Sequence, residues 1–459
     1  MTEMQLDLQP VSRTRIKWIS LLLKILALAL LIAVGLLGWR VINIQVQQRG
    51  LQAELAALSA AGRPTDAAGV KRLHVEHTSD ELTEAWLALF AELSDPELRK
   101  AAAMLPFVGT LEGEANQVPP RGEDWESDAD ARKFLSLTKA VRDRLRRLTV
   151  KSLAVYFPMQ YEGVSSGSSQ AHDGVKFATQ LLYFEALAAL RYDAITAAID
   201  DVRCLFALAG LLNGEPSAMS VAVCAGPERA AMEVIKLAVE QRSLTEPQLV
   251  SLLDVVRVRQ LANEHFQLAV QGERGMLLTT LDSFANRQGP LRYVFGSPGA
   301  RTVTLKLLAR LEAAPVDDIQ DFMSQCSSVQ GDIEEFGFGN RSSADDLAPT
   351  ALIPLTARGN IIVSGEMQRR LATLAVATQL YRAKHGKLPA DISEVAAVGI
   401  DPAKLVPVGG KPFGYRVNED RSSGVLWGFS LLTRTKQTPD EPPNVDDGME
   451  LNRAWVWQL

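Results

Sequence analysis

The chain has 459 residues, with 48 Lys+Arg against 54 Asp+Glu for a net charge of −6. Apolar residues make up 47%, too many for a disordered chain, and the balanced charge excludes a nucleic-acid binder with a global basic field. Three cysteines exclude a disulfide scaffold. A mean hydropathy of +0.02 excludes a polytopic transporter but fits one membrane segment carrying a globular body.

Residues 1–17 read as a short cytoplasmic tail, followed by the segment WISLLLKILALALLIAVGLLGW from Trp18 to Trp39. As a helix, 18–39 would extend about 33 Å, enough to cross a hydrocarbon core of roughly 30 Å. Trp18 and Trp39 stand at its ends, where indole rings favour the membrane interface, and Lys24 can snorkel toward headgroups. A cleaved signal peptide would have a shorter apolar stretch and a small-residue cleavage site, so an uncleaved anchor is expected. Arg13, Arg15, Lys17 and Lys24 outweigh Arg40 and Arg49, which predicts a cytoplasmic N-terminus and an extracytoplasmic bulk at the inner membrane.

Residues 40–337 read as an α-helical extracytoplasmic domain. Leu51–Ala60 is expected to form a short helix ending at Gly62-Arg63-Pro64, and Thr78-Ser-Asp-Glu81 and Ser94-Asp-Pro-Glu97 read as helix-starting capping boxes. The Gly/Pro-rich stretch 106–125 reads as a loop, and one helix is expected from Ser127 to about Val155. Its cluster Arg142, Arg144, Arg146, Arg147 and Lys151 reads mainly as a solvated face rather than a phosphate site. Residues 161–174 read as a flexible insertion. Gly163-Val-Ser-Ser-Gly167 there matches the letters of a nucleophile elbow around Ser165, without the strand and helix that motif needs.

Further helices are expected at 175–212 in two parts, 217–226, 227–241, 247–275, 301–313 and 316–333. The Leu/Ala faces of these hairpins would pack together, and no 34-residue repeat is visible. Residues 338–365 read as a linker. In 366–459, a helix from Met367 to His385 stops at Gly386, a capped short helix starts at Asp391, and strands follow near 412–417, 424–430 and 454–457. The expected fold class is therefore mainly α, with a transmembrane helix, a helical-hairpin domain and a small α+β module carrying a short antiparallel sheet.

The run Leu371-Ala-Thr-Leu-Ala-Val-Ala-Thr-Gln-Leu-Tyr-Arg-Ala-Lys-His-Gly-Lys-Leu-Pro-Ala-Asp-Ile-Ser-Glu-Val395 resembles the globular domain of type II secretion major pseudopilins, with Lys411-Pro-Phe-Gly-Tyr415 and Trp455-Val-Trp457 matching strand positions. The cleavable Gly-Phe-x-x-x-Glu start of that family is absent, so the module looks borrowed rather than part of a pseudopilus. The resemblance implies a calcium-binding loop before the last strand. Asp446, Asp447 and Glu450 occupy the acidic positions, although Pro439, Pro442 and Pro443 also lie in that loop.

The whole arrangement also resembles a group of uncharacterised single-span membrane proteins of planctomycete-type bacteria. The shared elements are Ala61-Gly-Arg-Pro64, Leu105-Pro-Phe-Val-Gly109, Asn213-Gly-Glu-Pro216 and Gly272-Glu-Arg274. That resemblance speaks to architecture and localisation rather than chemistry.

Other candidate sites are weaker. His74 and His77 have metal-ligand spacing on a helix but no third ligand, and read as exposed residues ahead of a helix. Cys204, Cys224 and Cys326 read as buried thiols, with a 204–224 bridge as the alternative. Glu273-Arg274 reads as an interhelical lock, with a substrate clamp as the alternative. No catalytic constellation and no cofactor other than calcium is indicated. The expected function is a membrane-anchored scaffold or protein-interaction component of the cell envelope, contacting the lipid bilayer and an envelope protein but no nucleic acid. The alternative is an envelope enzyme with a site assembled from scattered residues such as Ser165, His265, Glu273 and Arg274.

Overall fold

The apolar segment that opens the chain belongs to a longer helix, α1, which runs unbroken from Arg13 to Ala60. The computed structural model describes residues 13–75, 80–108, 118–151, 155, 157–159, 169–240, 244–257, 263–285, 297–315, 318–338, 352–407, 411–429 and 454–459. Among them, α1 supplies the one helix long and apolar enough to cross a membrane, with a mean hydropathy of 2.7 and no burial over its most apolar stretch. Trp39 is exposed, and Leu51 is the first α1 side chain to be fully covered. The separate helix expected at 51–60 is therefore the end of α1. Nothing between Trp39 and Ala60 breaks a helix, since Gly50 alone costs only about 1 kcal/mol.

Helix α1 stops where Gly62 takes a left-handed conformation (φ 71°). The amides of Gly62 and Arg63 then bond back to the carbonyls of Ser59 and Leu58, which closes the helix end. The body follows as α2 (Ala67–Val75), α3 (Asp80–Leu93), α4 (Pro96–Ala102), α5 (Asp128–Leu137), α6 (Lys139–Lys151), α7 (Ser169–Arg191), α8 (Ile195–Gly210), α9 (Ala218–Glu240), α10 (Glu246–Arg257), α11 (Asn263–Ala285), α12 (Pro298–Glu312), α13 (Ile319–Phe338) and α14 (Ile353–His385).

Several boundaries differ from the sequence reading, each for a local reason. The helix expected over 127–155 breaks at Thr138, whose hydroxyl donates to the carbonyl of Phe134 and ends α5. The pair expected at 217–226 and 227–241 is one helix, because Pro227 is buried and tolerated inside α9. The helix expected over 247–275 is instead α10 and α11. Residues 169–174, expected in a flexible insertion, form the first turns of α7. Before α4 the capping residue is Asp95, which accepts from Glu97 N at 2.8 Å, while Ser94 Oγ donates back to Phe90 O. Of the box Thr78–Glu81, Thr78 and Ser79 lie outside the described residues, and Asp80 opens α3.

Helix α14 begins at Ile353, well ahead of the expected Met367, so the second half of the segment read as a linker is helical. Pro354 sits in its first turn, where the missing N–H costs nothing. Helices α9, α10 and α13 flank α14, and its buried side chains run from Leu355 to Leu380. Gly386 (φ 77°) caps its end as expected.

The sheet then folds back onto α14. Strands β1 (Gly414–Val417), β2 (Gly424–Phe429) and β3 (Ala454–Gln458) are antiparallel in the order β1-β2-β3. Leu426 and Trp457 lie opposite each other and are buried with Leu371 and Leu374 of α14. The amide of Gln458 donates to Glu240 Oε1 of α9 at 3.2 Å, so the sheet touches the helical hairpins as well. One apolar core runs from Trp86 and Phe90 through the α7–α9 hairpins to the sheet. The fold is thus mainly α with one small antiparallel sheet, as the composition and periodicity predict.

Candidate functional site

A group of buried polar side chains lies where α11 meets the start of α9, the end of α12 and the turn after α1. Two glycines let the backbones approach. A Cβ on Gly272 would collide with the carbonyl of Pro216, and one on Gly275 would meet Val70 and the carbonyl of Asp66. Helix α11 therefore packs backbone-close against the Asn213–Pro216 turn on one side and the α1–α2 turn on the other. Three of the four short elements noted in the sequence, around 61–64, 213–216 and 272–274, meet here.

Arg274, only 1% exposed, pairs with Glu312 at the end of α12. Arg63, after the cap of α1, reaches the same carboxylate oxygen at 3.2 Å. Burial pulls the Arg274 guanidinium below its ordinary range, while Glu312 opposes that shift. The neighbouring Glu273 points the other way. Its Oε1 accepts from the amide of Ala218 at 2.9 Å and so caps the exposed amides at the start of α9. Burial raises the Glu273 carboxyl, and the Ala218 bond and Arg358 offset part of that rise. The hydroxyl of Thr279 accepts from Ala67 N at 2.9 Å, which ties α11 to α2 as well.

In the first turn of α9, Ser220 Oγ lies 2.9 Å from His265 Nε2. A serine beside an imidazole is the start of a nucleophile–base pair, so the direction of the proton matters. Ser220 Oγ also lies 2.6 Å from the carbonyl of Ser217 and 3.1 Å from that of Glu215. A hydroxyl has one proton, and carbonyls only accept. Ser217 O, at 2.6 Å, thus competes with His265 for the single Ser220 proton. Both side chains are buried, Ser220 completely. The pair fastens α11 to the first turn of α9.

Beside it, fully buried Glu215 accepts from His172 Nε2 at 3.0 Å. Burial raises the Glu215 carboxyl, and His172 pulls it back. A second ionic group lies between α6, α7 and α8. Arg142 pairs with Glu185, and Arg146 bridges Glu185 at 2.6 Å and Asp201 at 2.7 Å. Asp201 is completely buried, which pushes its carboxyl up to about 6 against the pull of Arg146. Arg142 and Arg146 thus face inward, which corrects the reading of this cluster as a solvated face. Arg147 remains exposed, and Arg144 meets Glu92 at 2.8 Å.

His74 is also corrected: it is buried in the last turn of α2, where desolvation lowers its imidazole to about 3. It is therefore neutral near pH 7. Cys204, Cys224 and Cys326 are free and buried. Among the described residues no three His, Cys, Asp or Glu side chains are grouped to hold a metal. Ser165, His77 and the calcium candidates Asp446, Asp447 and Glu450 lie outside the described residues.

In the C-terminal module, Tyr381 donates to Glu394 Oε2 at 2.8 Å, and Arg421 pairs with the same oxygen at 3.0 Å. The Tyr381 and His385 rings stack at 4.2 Å. These contacts clamp α14 to the short helix Ile392–Val398 and to the turn after β1. Neither a protein-family model, nor a curated protein, nor a solved structure matches the chain.

Proposed function

We propose that this chain is a single-span, membrane-anchored scaffold or protein-interaction component of the cell envelope, held in the inner membrane with its N-terminus in the cytoplasm. The observation that carries this reading is the joint at the end of α1. The helix that leaves the membrane does not end in a flexible linker. Just past its end, half-exposed Arg63 joins the buried pair Glu312–Arg274, which ties it to two body helices. A rigid joint of this kind serves a protein that presents its body at a set height and angle.

The polar side chains that an envelope enzyme could have assembled do not favour that alternative. His265, Glu273 and Arg274 share α11, yet they turn to Ser220, to the amide of Ala218 and to Glu312 respectively. Each satisfies a neighbouring helix, and Ser220, His265 and Arg274 are all below 4% exposure.

Sedimentation of the protein extracted from its native envelope in mild detergent tests the reading. A complex larger than the chain plus its micelle, carrying a second protein in fixed ratio, is the expected result. A lone chain under all mild conditions would end the scaffold proposal. The orientation is tested separately by Val150→Cys, an exposed position. An impermeant maleimide added to intact spheroplasts should label it; protection would reverse the topology.

A further inference from the structure

Three contacts fix how the body hangs on α1. Nearest the span, the Gln47 side chain lies over Gly299 in the first turn of α12. Next, Leu51 packs with Leu278 of α11 and Leu305 of α12. Beyond the helix end, Arg63 meets Glu312, which also holds Arg274. The order 47, 51, 63 along α1 matches 299, 305, 312 along α12 and 278, 274 along α11. Helix α12 is therefore parallel to α1, and α11 is antiparallel. The last turn of α11 and the first turn of α12 both lie at the end of the body nearest the span.

Their height follows from the helix rise. Gln47 follows Trp39 by eight residues, about 12 Å along the axis. Leu278 is level with Leu51, about 18 Å beyond Trp39, and Ser283 lies five residues closer, at about 10 Å. The headgroup layer itself occupies about 5–8 Å outside the hydrocarbon core. The remaining gap is shorter than one extended side chain.

The chemistry of this end suits such a neighbour. Arg40 and Arg49 are exposed on α1, and Asp282 is neutralised by Arg301 at 2.7 Å. Basic residues, with Trp39 at the end of the span, are the types that headgroup layers hold.

We propose that the end of the body formed by the last turn of α11 and the first turn of α12 rests on the lipid headgroups, so that the membrane is a second contact surface in addition to the span. The proposal depends on the single-span reading above, and the test separates the two. The full-length protein is reconstituted into phosphatidylethanolamine–phosphatidylglycerol vesicles as three single-cysteine additions, Leu31→Cys, Ser283→Cys and Ala309→Cys, each labelled with a fluorescent maleimide. The native cysteines are buried, and the unsubstituted chain gives the background. Leu31 lies mid-span; Ala309, exposed on α12, lies about 27 Å beyond Trp39.

Loss of fluorescence at position 283 with a headgroup nitroxide, but not at 309, is the expected result, together with loss at position 31 with a mid-chain nitroxide. Loss at 31 with no loss at 283 overturns the docking surface and leaves the anchor intact. No loss at 31 overturns the anchor itself, and the docking surface with it.

Discussion

Replacing Arg274 by Met should loosen the joint between α11, α12 and the end of α1. Arg274 is 1% exposed and Glu312 8%, so the substitution leaves a carboxylate in a place largely closed to water. Removing one partner of a buried ion pair costs about 3–5 kcal/mol, mostly because the other charge is stranded. Here Arg63 already touches the same Glu312 oxygen at 3.2 Å and is 45% exposed, so it can carry part of the charge. The lower end of the range is therefore expected, about 3 kcal/mol.

Hydrogen exchange reads this directly, because the opening is local rather than global. A loss of about 3 kcal/mol corresponds to roughly 100-fold faster exchange in peptides from α11, α12 and the last turns of α1. Peptides from the sheet should not change. The double substitution Arg274→Met with Glu312→Leu removes both charges and should return exchange to near the native rate, since apolar replacement of a buried pair is often neutral. If the single variant exchanges like the native chain, the ionic group does not hold the joint. If the double variant is no better than the single, packing rather than stranded charge explains the loss.

Three other outcomes are expected. Gly272→Ala forces a methyl into the Pro216 carbonyl, and overpacking of this kind costs about 1–3 kcal/mol, visible as a lower Tm in detergent. Leu51→Ala removes the first covered side chain of α1, between Leu278 and Leu305, and should lower stability by about 2–5 kcal/mol while sparing membrane insertion, checked by carbonate extraction. The Asp201 carboxyl is raised from near 4 to about 6 in the folded chain, so the native state binds the proton more tightly than the unfolded one. Its contribution therefore favours folding at acid pH and is lost as pH rises from about 4 to 6. Asp201→Asn should remove that decline from a Tm–pH profile, and a profile identical to the native one would show that Asp201 does not titrate there.

The fold class was legible because Leu/Ala periodicity and turn residues act locally, and the strands near 414, 424 and 454 were marked by β-branched and aromatic residues. Element limits were less so, and the reasons are physical. Pro227 is a helix breaker in isolation, but its burial inside α9 fixes it there. The start of α14 was hidden because the helix is covered by neighbours along much of its length, which blurs the one-sided apolar pattern that marks a surface helix. The inward turn of Arg142 and Arg146 was invisible because their partners, Glu185 and Asp201, lie on other helices.

The candidate site shows the same division. Gly272-Glu-Arg274 was legible as a lock, since two glycines beside an ion-pairing residue suggest close helix approach. Its partners were not legible: Arg63 and Glu312 are 249 residues apart. Only the fold brings them together, and the way it does so bears on function. Ser220 lies against the backbone and His265, Glu273 caps α9, and Arg274 pairs with Glu312 beside the end of α1. The same three neighbours, α1, α9 and α12, define where the body stands relative to the span. These contacts fix the position of the body relative to α1, and that is the observation behind the scaffold role proposed above.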